Sequence, residues 1–265
     1  MIKVCQVIFS TNRLEYLGRT LVAQKNLNFE GCEVDRIFID DFPKGRNNLL
    51  VKTLVNTFGY NEIYLHEQNL GLSVTWTEFW NLVKSRNYDY IWHQEDDVEI
   101  LEPIRIMDLI ELLQLDPSLS QVVLKRQPWY ENEKEAEALG TDWTYRQYRY
   151  EKDSVIFSPM ASLYSVDRVR FSYSEWYKQH YPNEIYHQIN FNEGMIGKAL
   201  YEGYGLVTGM LKNSQGHNLV NHIGDYFVGK RVLPGEPHYE MFSRFDPEKK
   251  YNSRSEEHTS ELQSH

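Results

Sequence analysis

The sequence predicts an α/β chain built on a largely parallel central sheet with helices on both faces. Three observations lead there. Short apolar runs alternate with segments of helical periodicity through the first half, the order expected of a doubly wound sheet. Acidic residues gather where two predicted strands end, at Asp40-Asp41 and at Glu95-Asp96-Asp97, the side on which open α/β sheets bind ligands. No internal repeat or low-complexity linker divides the 265 residues, so they read as one domain with a lobed second half.

The elements follow in order. Val4 to Phe9 is a short apolar run, a buried strand. Asn12 is placed to cap a helix in which Leu14, Leu17, Leu21 and Val22 recur at helical spacing as far as about Leu27. Val34 to Ile39 is a second strand, and Pro43 and Gly45 mark the loop after it. Asn48 begins a second helix with Leu50, Leu54, Val55 and Phe58 inward; Ile63 to Leu65 is a short third strand. Ser73 to Ser85 is a third helix, with Val74, Phe79, Trp80 and Val83 on one side. Tyr88 to Trp92 is aromatic and β-branched, a fourth strand. Ile104 to Leu115 reads as a helix stopped by Asp116-Pro117, and Gln121 to Leu124 as a strand. Beyond it, Glu131 to Leu139 is charged, Val155 to Phe157 is strand-like, and Asn192 to Tyr201 is a helix stopped by Gly203.

The segment Tyr88 to Leu101, YDYIWHQEDDVEIL, is the most informative in the chain. Three adjacent carboxylates repel one another and are costly without a cation. A hard divalent ion such as Mg²⁺ or Mn²⁺ takes oxygen ligands and bridges carboxylates to substrate phosphates.

Composition sets the bounds. With 41% hydrophobic and 14% aromatic residues the chain can fill one large core. Arg254 to Ser264 matches the translation of a common short-read sequencing adapter, so 254–265 is expected to be a non-native tail and the natural gene to continue past Ser253. The formal charge is −10 from 28 basic and 38 acidic residues; without the tail it is 27 − 35 = −8. Such an acidic chain is a poor nucleic-acid binder. Two cysteines, Cys5 and Cys32, make no disulfide framework. Neither a signal peptide nor a stretch long enough to span a membrane is present, so a soluble, cytoplasmic protein is expected.

Four segments in order resemble family 2 glycosyltransferases of the GT-A fold. STNRLEYLGRTL (Ser10 to Leu21) is similar to their opening strand-loop-helix, FIDDF (Phe38 to Phe42) to their second strand, NLGLSVTWTEFW (Asn69 to Trp80) to their Asn-x-Gly loop and third helix, and HQEDDVEIL to their Asp-x-Asp metal motif. The Glu-Asp-Asp form also resembles N-acetylglucosaminyltransferases that branch N-glycans. The resemblance implies a nucleotide-sugar-binding half over 1–125 and an acceptor-binding half over 126–253. It implies transfer from a UDP-sugar, with Mn²⁺ or Mg²⁺, to a glycan, lipid-linked or protein acceptor. Asp97 would be the direct metal ligand, and Glu95 and Asp96 would orient sugar and ribose hydroxyls. Asp41 or Asp40 would accept from the base, and Arg13 would reach the phosphates. Ser10, Asn12, Asn69 and Gly71 would line the nucleotide. The resemblance places an inverting enzyme's base at Glu193, in FNEGMIGKAL, with Asp225 as the substitute. His222, in VNHIGDY, would complete the metal shell.

Other readings are weighed against this one. A sugar-phosphate nucleotidyltransferase would need a glycine-rich basic loop after the first strand, and Ser10 to Arg13 holds no glycine. No Gln-x-x-Arg-Trp follows Glu193, which argues against a processive synthase. A non-catalytic carbohydrate- or nucleotide-binding module is the alternative that Glu-Asp-Asp in place of Asp-x-Asp keeps open.

Overall fold

The structure is a computed structural model, and it describes residues 1–127, 143–146, 148–153, 157–158, 160–169, 193–215 and 217–223. The chain opens with β1 (Ile2–Ser10), α1 (Leu14–Ala23), a 3₁₀ turn over Gln24–Asn26, β2 (Leu27–Asn28) and β3 (Cys32–Asp40). It continues through α2 (Asn48–Thr57), β4 (Glu62–Leu65), α3 (Leu72–Lys84), β5 (Tyr90–Glu95), β6 (Val98–Ile100), β7 (Ile104–Arg105) and α4 (Ile106–Leu115). Then come β8 (Leu119–Leu124), β9 (Arg126–Gln127), β10 (Trp143–Tyr145), β11 (Tyr148–Asp153), β12 (Ser162–Ser165), α5 (Glu193–Tyr204), β13 (Val207–Asn213) and β14 (Val220–His222).

Nine strands form the central sheet, in the order β10-β11-β13-β8-β12-β5-β1-β3-β4. The pairs β4–β3, β3–β1 and β1–β5 are parallel. β12 runs antiparallel to both β5 and β8, which restores the common direction at β8 and β13. Only β11 and β12 oppose the other seven. The chain leaves β1 toward β3 and β4, then crosses back through α3 to lay β5 on the other side of β1. The topological switch point therefore lies between β1 and β5.

Alternation along β1 separates the two faces. Val4 and Ile8 face one way and Cys5, Val7 and Phe9 the other, as a period of two requires. Ile8 packs with Leu17 and Leu21 of α1 and Val51 and Val55 of α2. Val4 joins Trp92 and the α4 residues Ile106, Leu109, Ile110 and Leu113. On the opposite face Phe9 meets Trp76, Phe79, Trp80 and Val83 of α3, with Ile196 and Leu200 of α5. His93 sits wholly inside this aromatic group, where burial pushes its pKa down to about 3 and keeps it neutral. Among the described residues no helix is long and apolar enough to cross a membrane.

Several local expectations change. Asn12 is no helix cap: it takes a left-handed φ of 61°, and its side-chain amide donates to the Lys44 carbonyl at 3.0 Å. The cap position belongs to Arg13, which offers no side-chain cap bond. The first helix stops at Ala23 because Leu27 is drawn into a parallel pair with Ile104, which also takes Ile104 out of α4. The second helix begins as read, with the Asn47 side chain accepting from the Leu50 amide at 3.1 Å. Gly203 does not stop α5. The helix runs to Tyr204, and Gly205 at φ 65° ends it, with Leu206 N–H reaching back to the Leu200 carbonyl at 3.0 Å. Residues Ser162–Ser165 form β12, with Ser162, Leu163 and Tyr164 buried in the sheet. Residues 131–139 and 155–156 lie outside the described residues.

Candidate active site

Three parallel strands end together at the switch point. In register, Ser10 stands beside Asp40 and Phe9 beside Glu95, so β1, β3 and β5 deliver Ser10, Asp40 and the acidic triplet to one edge. Ser10 joins them: its hydroxyl is 3.0 Å from Asp40 Oδ2 and 2.8 Å from Asp96 Oδ2. A hydroxyl has one proton, so it donates to one carboxylate at a time.

Asp96 is the structural member of the triplet. It is fully buried, and Oδ2 also accepts the Thr11 amide at 3.1 Å while Oδ1 pairs with Arg13 Nη2. Its own amide donates to the Phe9 carbonyl at 3.0 Å, and its carbonyl accepts from the Thr20 hydroxyl at 2.9 Å. Burial raises the Asp96 pKa; the Arg13 charge works against this and the Asp97 charge with it. Through these contacts its carboxylate braces the Ser10–Arg13 loop.

Asp97 has a different environment. Oδ2 lies 2.7 Å from Arg13 Nη1 and 3.2 Å from His222 Nε2, whereas Oδ1 is buried and has no hydrogen-bond partner among the described residues. Burial pushes this carboxyl up, but the His222 hydrogen bond and the Arg13 charge outweigh it and leave the pKa below the ordinary value. Glu95 completes a trio. One ligand atom from each of Glu95, Asp97 and His222 lies within 4.8 Å of the others. A divalent ion that binds at roughly 2.1 Å spans donors up to about 4.2 Å apart, so small side-chain rotations close this set around an ion. The orphaned Asp97 Oδ1 and the two-carboxylate, one-imidazole chemistry both fit a metal.

The backbone brings His222 there. β14 pairs antiparallel with β6, setting His222 opposite Val98, and Ile223 N–H donates to the Asp97 carbonyl at 2.8 Å. β9 flanks β14 on its other side in the same small sheet. The late half of the chain thus closes onto the residue that follows the strand-end carboxylates.

Asp40 and Asp41 divide their work. Asp40 is fully buried: beyond Ser10, it accepts from the Asn12 amide at 2.8 Å, the Phe42 amide at 3.1 Å and Arg46 Nη1 at 2.7 Å. The one acceptor site not always filled is the Oδ2 position that Ser10 shares with Asp96, and it is buried. Asp41 holds the Asn69–Gly71 loop, with Oδ1 accepting from Leu70 N–H at 2.9 Å and Oδ2 from Gly71 N–H at 2.7 Å. Asn69 Oδ1 also accepts from Gly71 N–H, at 3.0 Å, and Gly71 takes a φ of 80° as the cap of α3. Asp41 Oδ2 keeps open acceptor capacity that Asp40 lacks.

Two residues missed in the sequence complete this corner. Arg46 is buried against Asp40 and donates through Nη2 to the His66 carbonyl at 2.6 Å. His66, just past β4, places Nδ1 2.8 Å from Asp41 Oδ1 and Nε2 3.1 Å from Glu78. The hydrogen bond to Asp41 raises the His66 pKa, burial opposes it, and the Asp41 and Glu78 charges add to the rise. Position alone marked it, since it follows the carboxyl end of a parallel strand. Glu193 begins α5, but its side chain lies outside the described residues, as does Asp225.

No protein-family model matches the chain, and no curated protein is significantly similar to it in sequence. Solved structures are similar in fold. TarS 1–349 of S. aureus superposes with a TM-score of 0.53 at 12% identity, over 83% of this chain and 60% of that one. Another TarS structure gives 0.54 at 12% identity, over 83% and 36%. GalNAc-T7, solved with UDP, GalNAc and Mn²⁺, gives 0.57 at 12% identity, over 84% and 44%. The chain therefore spans less than two thirds of each of these neighbours. They are GT-A glycosyltransferases, and the mostly parallel sheet with helices on both faces and an acidic strand end at its switch point is the GT-A fold.

Proposed function

We propose that this chain is a metal-dependent glycosyltransferase that moves a sugar from a nucleoside diphosphate, UDP above all, to an acceptor hydroxyl. One observation carries the reading: Glu95, Asp97 and His222 meet at the switch point, although His222 comes from the far end of the described chain. A mixed oxygen and imidazole set suits Mn²⁺ better than the harder Mg²⁺. A bound divalent ion would supply positive charge to the departing diphosphate. The GT-A neighbour solved with UDP, GalNAc and Mn²⁺ supports the same donor class.

The chain's own groups take the remaining roles. Asp41 offers Oδ2 to a base N–H, which favours uracil, and the Asn69–Gly71 loop it holds forms the rim beside it. Ser10, Thr11 and Asp96 hold the loop that carries Arg13, and Asn12 keeps that loop in place through its backbone N–H, which donates to Asp40. Glu193 is the proposed base, with Asp225 as the alternative. The base takes the acceptor hydroxyl's proton as the new bond to the anomeric carbon forms on the face opposite the leaving diphosphate, which departs with the electron pair of the broken C–O bond. That displacement inverts the anomeric configuration. The acceptor is a glycan, a lipid-linked sugar or a protein.

The test is a thermal-shift screen of nucleotide sugars with and without Mn²⁺, followed by assay of UDP release. A ligand that binds only the folded state raises its stability by mass action. Mn²⁺-dependent stabilisation by UDP-sugars together with UDP release supports the reading. Stabilisation without release makes the chain a binding module. No stabilisation by any nucleotide sugar overturns both.

A further inference from the structure

We infer that Arg13 is a tethered cation that competes with the divalent ion for Asp97, so that the ion binds tightly only together with a nucleoside diphosphate. This rests on the metal-site reading above and adds a control to it.

The geometry is specific. The Arg13 guanidinium is largely buried, with 12% of its side chain exposed. Its fork spans two carboxylates, Nη2 on Asp96 Oδ1 and Nη1 on Asp97 Oδ2 at 2.7 Å. That Asp97 oxygen also faces His222 Nε2 at 3.2 Å, so Arg13 is bonded to the carboxylate the metal trio shares. The Tyr16 ring flanks the guanidinium, 5.7 Å from its centroid to Cζ.

Electrostatics makes this a contest. Buried neighbouring carboxylates need a counter-charge, and Arg13 supplies one from within the chain. A divalent ion among Glu95, Asp97 and His222 would stand within a few ångströms of that guanidinium, and like charges so placed repel strongly in a site shielded from water. The ion gains its full hold on Asp97 only when Arg13 lets go. A guanidinium leaving a carboxylate needs another anion, and a diphosphate matches its planar fork. Metal and diphosphate then favour each other's binding through Arg13, and linkage makes that coupling reciprocal. Arg13 sits at the boundary of α1 rather than within it, and precedes the first helical residue. Its carbonyl accepts the first helical bond, from Leu17 N–H at 2.9 Å, so the side chain can move while the helix start stays in place.

The experiment is calorimetric titration of Mn²⁺ alone, and of Mn²⁺ with UDP present, into the wild type, Arg13→Gln, Arg13→Lys and Asp97→Asn. Circular dichroism checks the fold of each. Arg13→Gln is expected to bind Mn²⁺ alone about tenfold more tightly than the wild type, and to gain at least about threefold less from added UDP. Lysine keeps the charge but reaches a single carboxylate, so Arg13→Lys should fall between, tightened roughly two- to fivefold; it carries the test should the glutamine variant fail to fold. Asp97→Asn should abolish the binding with or without UDP. Equal or weaker Mn²⁺ affinity in both Arg13 variants, with binding still dependent on Asp97, overturns this inference and leaves the metal site standing. Absence of Asp97-dependent Mn²⁺ binding in all of them, with or without UDP, overturns the metal site and this inference with it.

Discussion

His222 Nε2 lies 3.2 Å from Asp97 Oδ2 across 125 residues of chain. Main-chain pairing fixes the contact rather than side-chain chance: β14 sets His222 opposite Val98, and the Ile223 amide bonds the Asp97 carbonyl at 2.8 Å. The site is therefore assembled only when the late half of the chain docks onto the early half. Replacing His222 by alanine should leave the parallel sheet intact and lower Mn²⁺ affinity by roughly 10–100-fold, the size of loss that follows from disturbing a metal's surroundings. Mn²⁺ titration of the folded variant checks this, and an unchanged affinity removes His222 from the ligand set.

Asp40 and Arg46 form a buried ion pair at 2.7 Å, with side chains 0% and 3% exposed. Removing one partner leaves the other charge buried. Asp40→Asn should therefore destabilise the fold by about 3–5 kcal/mol. It should also loosen the Ser10–Arg13 loop, since Ser10 and Asn12 lose their charged acceptor. Urea unfolding measures the first effect. A loss no larger than a surface pair's, about 1 kcal/mol or less, would show that Arg46 finds another partner.

His66 predicts a pH dependence. Its folded pKa lies above its unfolded value, so the stability it contributes is fully present below about pH 6.5 and is lost as pH rises through the folded value. His66→Gln should lack that slope. The stability gap between wild type and variant should be widest in mild acid and should close at mildly alkaline pH. Paired unfolding curves at a series of pH values test it, and a gap that does not vary with pH counts against a charged His66 beside Asp41.

Much of this was legible in the residues, for stateable reasons. The triplet stood out because an apolar strand ending in three carboxylates is unusual in itself. The apolar runs of the first half gave away its central strands because β1 and β5 are buried on both faces. β12 was not legible: its SLYS segment follows no strand–helix alternation, and insertion between β5 and β8 depends on long-range pairing. The inward roles of Arg46 and Thr20 were hidden for the same reason, since a polar residue gains a buried partner only through contacts remote in sequence. Asp40 and Asp41 read as equivalent in FIDDF. Strand alternation points them to different surroundings, and only Asp41 retains open acceptor capacity.

That difference predicts base selectivity. Asp41 Oδ2 accepts from the Gly71 amide and can accept one further donor, which suits the N–H of uracil. UDP should bind more tightly than GDP or CDP in the presence of Mn²⁺: cytosine lacks the ring N–H and leaves the carboxylate unpaired, and the larger guanine carries its ring N–H farther from the ribose. Asp41→Asn should narrow the difference. Calorimetry showing GDP equal to or tighter than UDP refutes the assignment.

The last prediction concerns proton removal. Inversion needs one base within hydrogen-bond reach of the attacking hydroxyl. Glu193 is the first residue of α5, a helix that packs Ile196 and Leu200 against the same sheet face as α3. A carboxylate at a helix N-terminus is favoured in its charged form, as a base must be near neutral pH. Glutamine keeps the shape of the side chain and cannot take a proton. Glu193→Gln should therefore retain Mn²⁺-dependent UDP affinity while transfer falls by about 10²–10⁴-fold, the usual share of general-base catalysis. Measuring both quantities on one preparation separates the base from a binding residue, since loss of a donor contact would weaken UDP as well. Wild-type transfer in the glutamine variant moves the role to Asp225, where Asp225→Asn becomes the corresponding test. A product with the donor's own anomeric configuration would make the reaction a retaining one, and a single base at Glu193 would then explain nothing.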